Sequence, residues 1–286
     1  MGRDLKRGDD VALKIAHEDH STLRYENGVY KAIAGSRGVS PPRWFGKEGY
    51  YYVIVLEHLG TSVGDLISTQ QFDHSRTFFF ASQMVRTFGM YRDPTDFFRA
   101  FPQLSAVESL HTRYYIHRDI KPSNFMIRGD NTVFLIDFGL AQLIRDPATD
   151  SHILFSTNRS IVGTRPFTSI SGHRGHSQSR RDDLESLAYT IIFSARGDLP
   201  WTSLSDWEAV FQKKISTTVE ELCAGVPAPF RNFIRHVRTL SFDMTPNYKY
   251  LHSILSECSQ IETNVPKKAL APPEPCACPA AIGDQM

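Results

Sequence analysis

The chain has 286 residues, 41% of them hydrophobic and 22% charged, which is ample apolar material for a core, and its formal net charge of +1 argues against a binder held to nucleic acid mainly through phosphate contacts. It holds no apolar run of the length a membrane span needs, and Met1-Gly2-Arg3-Asp4-Leu5-Lys6 lacks an apolar signal core, so a cytoplasmic or nuclear protein with no membrane contact is expected. Cys223 and Cys258 stand far apart in apolar contexts, and Cys276 and Cys278 lie in a Pro-rich tail, so no disulfide framework is visible.

The first ordered element is predicted at Asp10–Ala16, a β-rich apolar run interrupted by Lys14. Val11-Ala12-Leu13-Lys14 resembles the strand whose lysine pairs nucleotide phosphates with a helix glutamate. Ser21 or Thr22 can cap a following helix with Leu23, Tyr30, Ile33 and Ala34 on its apolar side, and Glu26 among them is the candidate partner of Lys14. Turn residues from Gly35 to Pro42 precede a strand over Tyr50–Glu57, bounded by Gly49 and Gly60. A helix is predicted from His74 to Val85, where the pattern breaks: Val85–Gln103 contains Gly89, Pro94 and Pro102 and has no period of either kind. Joining Met84 to Leu104 restores an apolar helical face through Ala81, Met84, Leu104, Val107 and Leu110. Residues 85–103 therefore read as an insertion, with a valine codon able to open a splice donor and a glutamine codon able to close an acceptor; if translated, the segment should loop out beside the helical lobe.

The helix resumes from Ser105 to about His111 and leads into Ile116-His117-Arg118-Asp119-Ile120-Lys121-Pro122-Ser123-Asn124. A predicted hairpin, Phe125–Ile127 and Val133–Ile136 about an Arg128–Asn131 turn, connects this to Asp137-Phe138-Gly139 and is expected to set Asp119 and Asp137 at two ends of one small sheet. H-R-D-x-K-x-x-N with D-F-G is the machinery of phosphoryl transfer, in which positioning and charge stabilisation do most of the catalysis. Asp119 is the candidate base that orients an acceptor hydroxyl, and Lys121 should approach the transferring phosphate of ATP. Asn124 and Asp137 are the candidate Mg2+ ligands.

Several stretches carry a closer resemblance. They are Pro42-Arg43-Trp44-Phe45-Gly46, Leu56-Glu57-His58-Leu59-Gly60, Ser62–Leu66, the segment with Arg145-Asp146, Thr149, His152 and Gly163-Thr164, and above all Ser177–Leu187. Together they resemble the casein kinase I family of serine/threonine protein kinases. The resemblance implies an α+β, bilobal fold: a small, incomplete antiparallel β-sheet lobe over residues 1–58, a mainly helical lobe over 59–258 carrying the 85–103 insertion, and a disordered Pro/Ala-rich tail over 259–286. It makes Leu56 the residue at the back of the adenine pocket, and Glu57 and Leu59 the hinge whose backbone meets the base. Asp182 or Asp183 should brace the catalytic loop from the next helix, which Leu199-Pro200-Trp201 ends. Helical runs at Val219–Cys223, Phe230–Leu240 and Tyr248–Leu255 complete the lobe. ATP, Mg2+ and protein substrates bearing Ser or Thr are implied for a monomer.

Two departures qualify the resemblance. Met1–Asp10 holds only Gly2 and Gly8 and supplies no G-x-G-x-x-G loop over the phosphates, which suggests either a start further upstream or a degraded kinase. The second case is the alternative function: a catalytically impaired kinase fold serving as a protein-binding module, with a small-molecule phosphotransferase more distant still. Where the family has Gly-Thr-Ala-Arg-Tyr, this chain has Gly163-Thr164-Arg165-Pro166-Phe167, so proline replaces an arginine that helps bind primed, phosphorylated substrates. Arg165 is a candidate to compensate, and a weak preference for such substrates is expected.

Overall fold

The computed structural model describes residues 2–20, 22–69, 101–130 and 132–262. Its first lobe is an antiparallel sheet of β1 (Gly2–Arg3), β2 (Asp10–His17), β3 (Trp44–Glu48) and β4 (Tyr51–Glu57) in the order β1-β2-β4-β3. The β-branched and aromatic residues of β4 suit the centre of a pleated sheet, and Ile54 is fully buried opposite Lys14. The first ordered element is thus Gly2–Arg3, which folds back on Asp10 and Val11, and not the lysine strand itself. Helix α1 (Leu23–Ala32) lies against this sheet and buries Leu23, Glu26, Val29 and Tyr30, residues spaced by three and one, so that one helical face includes a carboxylate.

A short β5 (Thr61–Ser62) and α2 (Val63–Thr69) open the second lobe. The helix expected over 74–85 and most of the 85–103 insertion lie outside the described residues. The last three residues of that stretch do not loop out: Phe101 packs edge-on against Phe230 at 6.1 Å, and α3 (Pro102–His111) begins at Pro102, not at Ser105. Proline is at home in the first turn of a helix, where its missing N–H would have no partner.

Next come β6 (Tyr115–Ile116), β7 (Phe125–Ile127), β8 (Val133–Leu135) and β9 (Gln142–Leu143). Strands β5, β7 and β8 form one small sheet, and β6 pairs with β9. In the β7–β8 hairpin Phe125 pairs with Leu135, so the chain enters and leaves at one end. Asp119 and Asp137 therefore sit at the same end of this sheet and not at opposite ends, because an antiparallel hairpin returns the chain to where it started.

The helical remainder is α4 (Ile170–His173), α5 (Arg180–Arg196), α6 (Trp207–Ser216), α7 (Val219–Leu222), α8 (Ala228–Arg238) and α9 (Tyr248–Glu262). Nearly every residue of α5 is buried, and the helix stops at Gly197, whose φ of 78° suits a left-handed cap, before Leu199-Pro200-Trp201 is reached. Helix α9 runs on into the stretch expected as tail; residues 263–286 are outside the described set. No helix among the described residues is long and apolar enough to cross a membrane. One apolar core joins Val29, Tyr30 and Ile33 of α1 to Leu104, Val107 and Leu110 of α3 and onward to α5 and α8, giving a mixed α+β architecture of sheet lobe and helical lobe.

Gly38 ties the lobes together. Its carbonyl accepts the Leu135 amide at 2.7 Å, its φ is +71°, and a Cβ there would stand 2.7 Å from the Ala106 Cβ of α3. Gly38→Ala is expected to destabilise the protein by about 1–3 kcal/mol, read as a lower midpoint in chemical denaturation with an unchanged slope.

Candidate active site

Two clusters of side chains form around the end of the β7–β8 hairpin. In the first, the Lys14 ammonium reaches from β2 to the Glu26 carboxylate of α1 at 2.8 Å and to the Asp137 carboxylate at 2.7 Å. Glu26 is fully buried, whereas Lys14 and Asp137 are 39% and 44% exposed, so the pair opens toward solvent on the Asp137 side. Burial holds the Glu26 carboxyl above the usual carboxylate range, against the pull of Lys14. Burial also works against the Lys14 ammonium and the Asp137 carboxylate, yet their mutual contact prevails: Lys14 is held above the ordinary lysine range and Asp137 below the ordinary carboxylate range.

In the second cluster the Asp119 carboxylate, 9% exposed, accepts from three donors. Lys121 Nζ reaches Oδ2 at 2.7 Å, Thr164 Oγ1 reaches Oδ1 at 2.7 Å, and the Asn124 amide approaches Oδ2 at 3.4 Å while donating to the Asp119 carbonyl at 2.8 Å. Lys121 also donates to Thr164 Oγ1 at 2.9 Å, which closes a ring of three side chains. A carboxylate offers about four lone-pair directions, so one remains for an incoming hydroxyl.

The backbone between the clusters is strained and braced. Arg118 and Asp137 have φ of 67° and 66°, a region that residues with a Cβ rarely occupy. Asp183 of α5 holds the first of them: its carboxylate accepts the His117 amide at 2.6 Å, the Arg118 amide at 2.9 Å and His111 Nε2 at 2.9 Å. His111 is kept neutral by burial and takes the Tyr248 hydroxyl on its other nitrogen. Of the two aspartates considered from sequence, Asp183 is thus the brace; Asp182 turns back to accept the Ser179 amide at 2.8 Å and the Ser169 hydroxyl at 2.6 Å. His117 donates to the Ile136 carbonyl at 2.9 Å, and its ring meets Phe138 at 5.3 Å, which in turn meets Tyr30 of α1 at 5.0 Å. A stack of three rings therefore runs from the helix that carries Glu26 to the loop that carries Asp119.

The structure accordingly brings Lys14, Glu26 and Asp137 together, and Asp119, Lys121 and Asn124 together. Leu56 and Glu57 close β4, paired with Ala12 and Val11 on the strand of Lys14. Leu56 packs against the core, Leu59 is buried, and the Glu57 side chain is occupied by the Ser40 hydroxyl at 3.0 Å. Thr164 was not among the residues singled out for catalysis; its signal was the Gly163-Thr164 pair, since Gly163 at φ +101° lets the chain pass close to the Arg118 carbonyl. A divalent cation fits the donor set on offer. Asp137 and Asn124 offer one carboxylate and one amide oxygen, the kind of oxygen donors that Mg2+ takes alongside phosphates and water.

Replacing Lys14 by methionine leaves the buried Glu26 carboxylate without this cation, at an expected cost near neutral pH of about 1–3 kcal/mol, below that of a fully buried pair because Lys14 is partly exposed. Glu26 then titrates still higher in the folded state than in the unfolded chain, so the variant keeps its stability below the ordinary carboxylate range and loses it as pH rises through the folded value. Thermal melts between pH 5 and 8 should show the deficit of Lys14→Met growing with pH, and adding Glu26→Gln should flatten the curve.

The sequence matches the family model described as protein kinase domain over residues 3–222. That span covers the sheet lobe, both clusters and the Asp183 brace, and the chain belongs to the protein kinase domain family.

Proposed function

We propose that the chain is a serine/threonine protein kinase, akin to casein kinase I, that moves the γ-phosphoryl group of ATP to a Ser or Thr hydroxyl of a protein. The observation that carries this reading is the ring of Asp119, Lys121 and Thr164, which leaves a carboxylate lone pair for a hydroxyl and a cation beside it. Lys121, two residues after Asp119, is the arrangement that resembles serine/threonine kinases.

On this reading the acceptor hydroxyl donates to Asp119, which orients it and takes its proton as the new O–P bond forms. The bond from the γ-phosphorus to its bridging oxygen breaks, and ADP carries away the electron pair. Lys121 offsets charge on the transferring group, and Lys14, fixed by Glu26, meets the phosphates that remain with ADP. Asn124 and Asp137 would hold Mg2+, which neutralises charge on the phosphate oxygens when bound. On this reading Leu56, Glu57 and Leu59 form the hinge that receives adenine, with Leu56 and Glu57 paired to the strand of Lys14.

The test is phosphate transfer from ATP to matched Ser, Thr and Tyr peptides. Transfer to Ser and Thr but not Tyr is expected, and Asp119→Asn should lower kcat by about 10²- to 10⁴-fold with little change in nucleotide affinity. Nucleotide binding without any transfer would count against the proposal. Because Pro166 stands where relatives have arginine, peptides that differ only in a priming phosphate should differ in kcat/KM by less than about tenfold, or ~1.4 kcal/mol.

A further inference from the structure

Lys214 of α6 is fully buried, and among the described residues it forms no ion pair. Its ammonium donates to two backbone carbonyls, those of Arg165 at 3.0 Å and Thr168 at 2.5 Å, and is flanked by the rings of Tyr189 at 4.9 Å and Trp201 at 5.2 Å. Trp201, also fully buried, donates from Nε1 to the Pro166 carbonyl at 2.8 Å. Three carbonyls of one short turn therefore hang from two side chains of the helical lobe. The same turn is closed internally, with the amides of Phe167 and Thr168 reaching the Thr164 carbonyl at 2.9 and 3.0 Å. Its other end is the Thr164 hydroxyl on Asp119.

A buried amine is a costly way to fill space, and burial pulls the pKa of the Lys214 ammonium down to about 7. Methionine has nearly the length of lysine and fills the same space, but it leaves the Arg165 and Thr168 carbonyls buried without this donor. What methionine lacks is the donors. We propose that Lys214 is a positioning residue for the protein substrate, fixing the 164–168 turn against Asp119 and so the place where an acceptor hydroxyl meets the carboxylate. The proposal deepens the kinase reading and rests on it. Nothing in this chain of contacts touches Lys14, Glu26 or Asp137, so the nucleotide end of the site should not depend on Lys214.

The experiment uses the full chain with Lys214→Met and Lys214→Gln. Three readouts are needed: steady-state kinetics with peptide and ATP varied separately, thermal melting, and amide hydrogen exchange of the 164–168 segment. Lys214→Met should melt below the wild-type temperature, lose about ten- to hundredfold in kcat/KM for peptide, as a misplacement near 1 Å would cause, and keep its KM for ATP within about twofold. Lys214→Gln, whose amide restores two donors, should fall between the two. The Phe167 and Thr168 amides should exchange faster in Lys214→Met while those of α5 do not change.

Wild-type peptide kinetics in Lys214→Met, or parallel losses for ATP, peptide and melting temperature, would overturn the assignment. A wild-type chain that transfers no phosphate would instead sink the kinase reading. The exchange data then decide the Lys214 contact alone, with an unchanged 164–168 segment counting against it.

Discussion

Two consecutive backbone amides of the loop that carries Asp119, those of His117 and Arg118, end on the buried carboxylate of Asp183. Arg118 sits at positive φ, a conformation that costs of the order of 1–3 kcal/mol for a residue with a Cβ and persists only when its surroundings over-determine it. Asp183 supplies that determination. Burial alone would drive its carboxyl toward the neutral form, but His111 and the loop amides hold it below the usual carboxylate range, so it remains a charged acceptor at the centre of the helical lobe. The helix that presents it is among the best anchored in the molecule, buried along nearly its whole length. The placement of Asp119 is therefore inherited in part from the core, and Lys121 and Asn124 of its own loop complete it.

The second dependence runs through Phe138. Its ring lies between His117 and Tyr30, so α1 cannot shift without disturbing the edge-on rings that end on the Asp119 loop. Glu26 is on the same helix, one turn before Tyr30, and Asp137 immediately precedes Phe138. The ion-pair cluster and the ring stack are thus two faces of one junction: Lys14 joins Glu26 to Asp137 on the solvent side while Tyr30 and Phe138 join the same elements in the core. Polar and apolar contacts thus join α1 to the Asp137–Phe138 segment from both sides.

Much of this was legible in the chain. The alternation around Lys14, the helix bearing Glu26 and the two Asp motifs are local signals, and each appears where periodicity and spacing put it. The choice between Asp182 and Asp183 was not legible, because neighbours on a helix differ in facing by about 100° and only tertiary packing says which face meets the loop. The same-end placement of Asp119 and Asp137 was implicit in the hairpin that the sequence predicts, but it follows from strand register and not from composition. Thr164 lies 45 residues from Asp119, and Lys214 lies 49 from Arg165. No local pattern marks a side chain whose partners are distant backbone carbonyls.

Backbone anchoring also governs how the 164–168 turn can vary. Arg165, Pro166 and Thr168 are held by their carbonyls, which every residue type possesses, while the Arg165 side chain is turned over the Trp207 ring at 5.9 Å. Proline at 166 forfeits an N–H, yet in this turn it is the carbonyl that is bound, and the ring restricts φ and lowers the conformational freedom the turn must lose. Substitutions along the turn can therefore change its side-chain charge without releasing it from Lys214 and Trp201. Anchoring through the backbone separates the geometry of the turn beside Asp119 from the chemistry of its side chains.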